Sequence, residues 1–269
     1  MICVPDCLLD VIYEDDDILV VNKPAGLVCH PTKTDCLSSL VARLRIYLGG
    51  CPLRQGPNDC VHAPEGCPFD VEEQDPPPAV NLINRLDRET GGVVLVTKAV
   101  DAARVLGKLM RDGKMKKTYR AIVCGVPEPL TGLIDQPLGD DEKSEVVVKD
   151  CVRADGHPAQ TAYRTLKSFV RDGREYSLLE VYPGTGRKHQ IRIHLAWIGC
   201  PVVGDKLYGV SERYYLDFVE GRLTDEQRNE LILPYHALHA VRLEYTTWDG
   251  REWKFECEPE DWFRNFVED

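Results

Sequence analysis

Residues Asn84-Arg85-Leu86-Asp87-Arg88-Glu89-Thr90-Gly91-Gly92, running on into Val93-Val94-Leu95-Val96-Thr97-Lys98, set a carboxylate between two arginines and then release the chain through two glycines into an apolar run. That run reads as a strand, because it is made of β-branched and leucine side chains and follows a turn with two glycines. Asp87 therefore occupies a turn at the mouth of a strand. Positive charge within a few ångströms favours a carboxylate over its acid, so Asp87 is expected to be ionised. Such a group can cap the turn, pair with Arg85 or Arg88, act as a nucleophile or stabilise a cation. Local composition alone favours the capping or pairing role.

The flanking pattern is mixed. Ile18 to Val21 reads as a strand broken by the turn Asn22-Lys23-Pro24-Ala25-Gly26. Leu37, Leu40, Val41, Leu44 and Leu48 recur at helical spacing before Gly49-Gly50. Residues 49–80 hold seven prolines and three cysteines without periodicity, which predicts a long loop or insertion. Ala102, Val105, Leu106, Leu109 and Met110 mark a helix closed by Gly113, and Lys117 to Gly125 reads as a strand. Gln160–Lys167 and Tyr176–Tyr182 alternate around Arg171-Asp172-Gly173, which predicts a hairpin, as does Trp248-Asp249-Gly250-Arg251. A short helix is expected over Trp262–Val267. Pro183-Gly184-Thr185-Gly186 leads from a strand into a basic helix start, a place where free N–H groups and cations suit phosphate.

At 269 residues, 43% hydrophobic and 29% charged, the composition is that of a globular protein. No run of eighteen apolar residues occurs and the N-terminus lacks a basic-then-apolar signal, so a cytoplasmic protein is expected. The eleven cysteines are accordingly read as reduced. Cys51, Cys60 and Cys67, with His62 between them, are spaced too widely for a structural zinc site, and no metal is expected. The net charge of −11 argues against binding of nucleic acid through bulk positive charge. Two acid-poor clusters stand against it. Arg104, Lys108, Arg111, Lys114, Lys116, Lys117 and Arg120 form one, and Arg187, Lys188, His189, Arg192 and His194 the other. A single such run is usually a solvated face; two in an acidic chain favour a local anionic ligand.

The Asn84–Gly92 stretch resembles the first signature of the RluA family of RNA pseudouridine synthases, commonly His-Arg-Leu-Asp, two variable residues, Thr-Ser-Gly and an apolar strand. Arg85, Leu86, Asp87, Thr90 and Gly92 match, while Asn84 stands where His is usual and Gly91 where Ser is usual. Tyr13 to Gly26, with His30-Pro31, is similar to the start of that family's synthase domain. Lys117-Thr118-Tyr119, with its strand ending at Gly125, is similar to the second signature. Thr185-Gly186-Arg187-Lys188-His189-Gln190-Ile191-Arg192 is nearly the third. The likeness continues through Gly199 to Asp205, Tyr208-Gly209 and Leu238-His239-Ala240, and leaves residues 49–80 outside.

The resemblance implies an α+β pseudouridine synthase fold, a mixed and mostly antiparallel sheet with flanking helices and a cleft between Asp87 and Arg187. Residues 1–269 are expected to form one catalytic domain. Asp87 would be the nucleophile, and Tyr119 would line the pocket as a candidate for removing the C5 proton. Arg187, or less favourably Arg192, would pair with Asp87. Arg85 would occupy the space left by a turned-out uridine, and Lys117, Lys188, His189, Gln190 and Arg192 would contact RNA. His239 reads as structural. The reaction needs no cofactor, and the partner would be ribosomal or transfer RNA bound by a monomer. Many relatives carry an N-terminal RNA-binding domain of the S4 type. This chain starts almost directly at the synthase domain, so substrate choice is expected from the core, the insertion or a partner. The competing readings are an RNA-binding module without catalysis, and a glycosidase-like hydrolase that would want a second carboxylate in a comparable setting.

Overall fold

The computed structural model describes residues 9–30, 39–49 and 79–268. They belong to two compact units, Met1–Lys114 with Phe255–Cys257, and Met115–Lys254 with Glu258–Asp269. Residues 50–78, which hold most of the expected insertion together with Cys51, Cys60, His62 and Cys67, lie outside the described residues, as does Leu37.

The first unit contains β1 (Asp10–Glu14), β2 (Ile18–Lys23), α1 (Leu40–Tyr47), β3 (Asn81–Leu82), β4 (Gly91–Thr97) and α2 (Val100–Arg111). β1 pairs antiparallel with β2, and β2 with β4, in a register that sets Val20 opposite Leu95 and Lys23 opposite Gly92. Every residue of β4 is buried. Burial on both faces explains why its sequence is continuously apolar rather than alternating. α1 begins where the Ser39 hydroxyl accepts the Ala42 N–H at 3.2 Å, and it buries Leu40, Val41, Ala42 and Leu44. α2 fits its predicted position but not its predicted face: Leu106 is buried, whereas Val105 is 46% exposed.

The second unit contains β5 (Met115–Cys124), β6 (Thr131–Asp135), β7 (Leu138–Asp140), β8 (Asp150–Val152), β9 (Gln160–Arg171), β10 (Arg174–Pro183), α3 (Gln190–Trp197), α4 (Arg213–Val219), α5 (Asp225–Leu231), β11 (Leu238–Thr246), the first three residues of β12 (Glu252–Glu256) and α6 (Asp261–Glu268). Its sheet runs β11-β5-β10-β9-β6, with β12 on β11, and β7 and β8 form a separate two-stranded ladder. The predicted hairpin is β9 and β10, closed by Asp172 and Gly173 at φ 50° and 72°. Both residues of a type I′ turn need positive φ, and Asp-Gly tolerates it. Ala121, Val123, Leu179 and Val181 join Ile191 and Leu195 of α3 in one core, to which α6 adds Phe263 and Phe266. Phe266 meets Tyr176 edge to face, with ring centroids 5.2 Å apart.

The short helices α4 and α5 and the β7–β8 ladder were not foreseen from the sequence. α5 carried a readable signal, since Thr224 and Gln227 form a capping box. Among the described residues no helix is long and apolar enough to cross a membrane. Cys29, Cys124, Cys151, Cys200 and Cys257 are free thiols.

Candidate active site

In the first unit the chain leaves β3, makes the excursion 83–90 and returns as β4. Asn84 closes the base of this excursion. Its side-chain amide donates to the Val93 carbonyl at 2.9 Å and its oxygen accepts the Leu95 N–H at 2.8 Å. Asparagine supplies both a donor and an acceptor, so a strand-like bridge forms at a position that is 9% exposed. Leu86 plugs inward at 8% exposure. Its N–H and C=O both engage the Cys29 sulfur, at 3.5 and 3.3 Å. Burial pushes the Cys29 thiol up, so it serves as a protonated hydrogen-bonding group.

The far side of the loop is fastened by Lys23, which is fully buried. Its ammonium donates to the carbonyls of Pro24, Leu27 and Arg88 at 2.9, 2.7 and 3.1 Å. A buried charge must find such partners, because its desolvation otherwise costs several kcal/mol. The Arg88 carbonyl also accepts the Gly26 N–H at 2.9 Å, and the Arg88 side chain donates back to Gly26 at 3.3 Å. Gly92, at φ 118°, makes the turn into β4 that a side chain would resist. Asp87 is thus held half-buried between two anchored neighbours, with Arg85 and Arg88 exposed on either side. Burial, Arg85 and Arg45 together hold His30 below the usual histidine range.

In the second unit Tyr119 is half-buried on β5, opposite Val181 of β10 and Ala240 of β11, and packs against the core that contains Ile191. Lys117 shares its face of the strand two residues earlier. Burial lowers the Lys117 pKa, and its Nζ lies 3.6 Å from where a Cβ on Gly186 would sit. A larger residue at position 186 would crowd that ammonium.

The turn after β10 is organised by Gln190, which is 4% exposed. Its oxygen accepts from the Thr185 hydroxyl at 2.6 Å and the Arg187 N–H at 3.0 Å, and its amide donates to the Gln160 carbonyl and the Thr161 hydroxyl. Arg187 is exposed, with Nε donating to the Pro158 carbonyl at 3.2 Å. Lys188 is 43% exposed at its side chain and meets Asp150 at 2.7 Å. His189 is half-buried, and its Nδ1 lies 2.9 Å from the Tyr208 hydroxyl.

Arg192 is 6% exposed and grips Asp205 through Nε and a terminal nitrogen at 2.7 and 2.8 Å. Asp205 also accepts the N–H groups of Leu207 and Tyr208. Burial raises its pKa, but the Arg192 charge and these hydrogen bonds win, and the carboxyl lies well below its usual range. His194 is fully buried, with Nε2 2.9 Å from the Gln136 carbonyl and Nδ1 2.8 Å from the Thr161 hydroxyl. Burial lowers its pKa. A carbonyl can only accept, so Nε2 carries the proton and Nδ1 accepts from Thr161.

The basic cluster Arg187 to His194 is therefore split by depth. Arg187 and Lys188 reach the surface, whereas Gln190, Arg192 and His194 are internal, and burial rather than residue type makes the division. His239 is buried in β11. Sequence reasoning gave no role to Lys23, Cys29 or Tyr208. A lysine ending an apolar strand just before a proline turn was the available sign for Lys23. Among the described residues no group of three or more His, Cys, Asp or Glu is placed to hold a metal.

Residues 17–197 match the family described as RNA pseudouridylate synthase. The chain belongs to that family. It is 39% identical over 192 residues to an uncharacterized RNA pseudouridine synthase of Chloroflexus aurantiacus, covering 70% of this chain and 51% of the relative. It is 31% identical over 238 residues to the ribosomal large subunit pseudouridine synthase D of Neisseria meningitidis, covering 88% of this chain and 54% of that protein. The chain thus spans about half the length of these curated relatives. The solved structure of human RNA pseudouridylate synthase domain containing 4 superposes with a TM-score of 0.65 at 25% identity, covering 96% of this chain and 92% of the other. Membership in the pseudouridylate synthase family and the α+β pseudouridine synthase fold agree with the signatures read from the sequence.

Proposed function

We propose that this protein isomerises uridine to pseudouridine in ribosomal or transfer RNA, with Asp87 as the nucleophile. The observation that carries the reading is Asp87 itself. It is a half-buried acid at the matching signature position, in a loop whose backbone is tied down on both sides by Asn84, Cys29 and Lys23. A carboxylate that only capped a turn would not need its loop held by a fully buried lysine.

The reaction breaks the N1–C1′ bond, turns the uracil while it stays bound and joins C5 to C1′. The C5 proton leaves and N1 gains one, so atoms and electrons balance without an oxidant, a reductant or an energy source. Asp87 supplies the anionic group. Tyr119 lines the pocket and is the candidate for taking the C5 proton, which at an ordinary pKa of about 10 requires assistance from nearby positive charge. Arg187 supplies a cation toward the acid, a role that rests on the family resemblance. Arg85, Lys117, Lys188 and His189 contact RNA, and the buried Gln190 and Arg192 hold the turn that presents them. The target must leave its stack to be reached. We take both units as parts of one catalytic domain acting as a cytoplasmic monomer.

Pseudouridine mapping of ribosomal and transfer RNA from cells lacking the gene, complemented with wild type or Asp87→Ala, tests the reading. A site lost with the gene and restored only by wild type supports it and identifies the substrate. Restoration by Asp87→Ala refutes the nucleophile, and an unchanged map in the absence of the gene favours an RNA-binding role.

A further inference from the structure

Tyr208 stands where three segments meet. Its hydroxyl oxygen accepts the Asp150 N–H at 3.2 Å and lies 2.9 Å from Nδ1 of His189. Its ring is edge-on to the His189 ring at 5.6 Å, and the Arg192 guanidinium lies over it at 5.0 Å. Burial pushes the phenol above its ordinary pKa, against a smaller opposing effect of Arg192, so it keeps its proton.

The direction of the hydrogen bond depends on which ring nitrogen of His189 carries the proton. The Asp150 N–H can only donate, so it takes a lone pair of the hydroxyl. The hydroxyl has a second lone pair, so Nδ1–H donation to it is sterically open, but that arrangement leaves the hydroxyl proton without an acceptor among the described residues; donation to an unprotonated Nδ1 of His189 satisfies both groups. In a neutral imidazole that puts the proton on Nε2. His189 also sits in the left-handed region at φ 54°, a conformation that is strained for a residue with a side chain and persists where its surroundings enforce it. The exposed cations Arg187 and Lys188 precede it in the same turn.

We propose that Tyr208 is a positioning residue that holds His189 as the neutral Nε2–H tautomer, so that the ring presents a hydrogen-bond donor to a phosphate oxygen of bound RNA. The RNA half of this proposal rests on the synthase reading above. The tautomer half does not, and it is measured without RNA.

Long-range nitrogen–proton NMR of the 15N-labelled full chain, with His189 assigned by its loss in His189→Gln, reads the tautomer directly. A pyridine-type Nδ1 and a pyrrole-type Nε2 in the wild type are expected, with the two forms mixing in Tyr208→Phe. A wild-type ring protonated on Nδ1 overturns the proposal, whatever the stability of the variant. The donor role is read from binding to in-vitro-transcribed ribosomal RNA. His189→Gln, whose amide nitrogen stands in for Nε2, should bind within about threefold of wild type, and His189→Asn, which mimics Nδ1, about tenfold more weakly. Equal losses in the two variants overturn the donor role. Pseudouridine formation by the wild type is scored separately. Its absence refutes the synthase reading while the tautomer measurement still decides this proposal.

Discussion

The Asp87 loop and the Arg187–His194 segment both look basic and reactive in sequence, yet they are built in opposite ways. In the loop the charged side chains Arg85 and Arg88 face solvent, and the structural load falls on backbone groups gripped by Asn84, Cys29 and Lys23. In the segment the backbone is left to a short turn and helix, and much of the polar side-chain content is spent inside the unit, as Arg192 on Asp205 and Gln190 on the strand carbonyls. A count of basic residues does not measure the capacity to bind an anion. What matters is which cations lack an internal partner strong enough to hold them.

The comparison breaks most directly at Asp87. Asp87→Ala should lower pseudouridine formation by at least about 10³-fold while thermal stability changes little, because the loop is held by its neighbours. A modest kinetic loss with a large fall in melting temperature would mean that the acid is structural after all.

Arg192 should behave in the reverse manner. Arg192→Ala strands the buried Asp205 charge and should cost about 3–5 kcal/mol in urea unfolding; an unchanged midpoint would show that the pair does not organise the segment. The same pair sets an acid limit. Asp205 has a folded pKa below its unfolded value of about 3.9, so its contribution is complete above that value and is lost as pH falls through the folded one. Comparing acid unfolding of wild type with Asp205→Asn isolates it. The variant should lack the part of the decline below about pH 4 that Asp205 causes.

Lys23→Met removes the donor to three carbonyls, one of them beside Asp87, and should cost about 2–3 kcal/mol of stability together with a fall in kcat. Stability loss with full kcat would show that the anchor does not position the acid. The smallest effect belongs to Lys188. Its ion pair with Asp150 is partly solvated, so Lys188→Gln should change stability by less than about 1 kcal/mol and act mainly on RNA affinity at low salt. In a chain of net charge −11, each remaining phosphate contact makes binding fall steeply with salt, and the variant's slope against log salt should be shallower by about one.

Much of the fold was legible because its signals are local. The Asp172-Gly173 turn, the Gly113 stop after α2 and the continuous apolar run of β4 each depend on residues that are neighbours in the chain. The candidate site was legible where a signature places an unusual residue in a turn, as at Asp87. It was illegible where the partner lies far along the chain. Lys23 meets Arg88 across sixty-five positions and Lys188 meets Asp150 across thirty-eight, and no periodicity encodes such a meeting. The face of α2 was misjudged for a related reason, since Val105 would be internal only if something covered it.

By itself the sequence determined the type of most of the longer elements, the family signatures and which acid is the candidate, because backbone preference and residue chemistry are properties of short stretches. Only the tertiary structure decided which charges are spent and which are available. Burial and hydrogen-bond partnership depend on segments brought together by folding, and they set Gln190, Arg192 and His194 inside the second unit while leaving Arg187 and Lys188 at the surface.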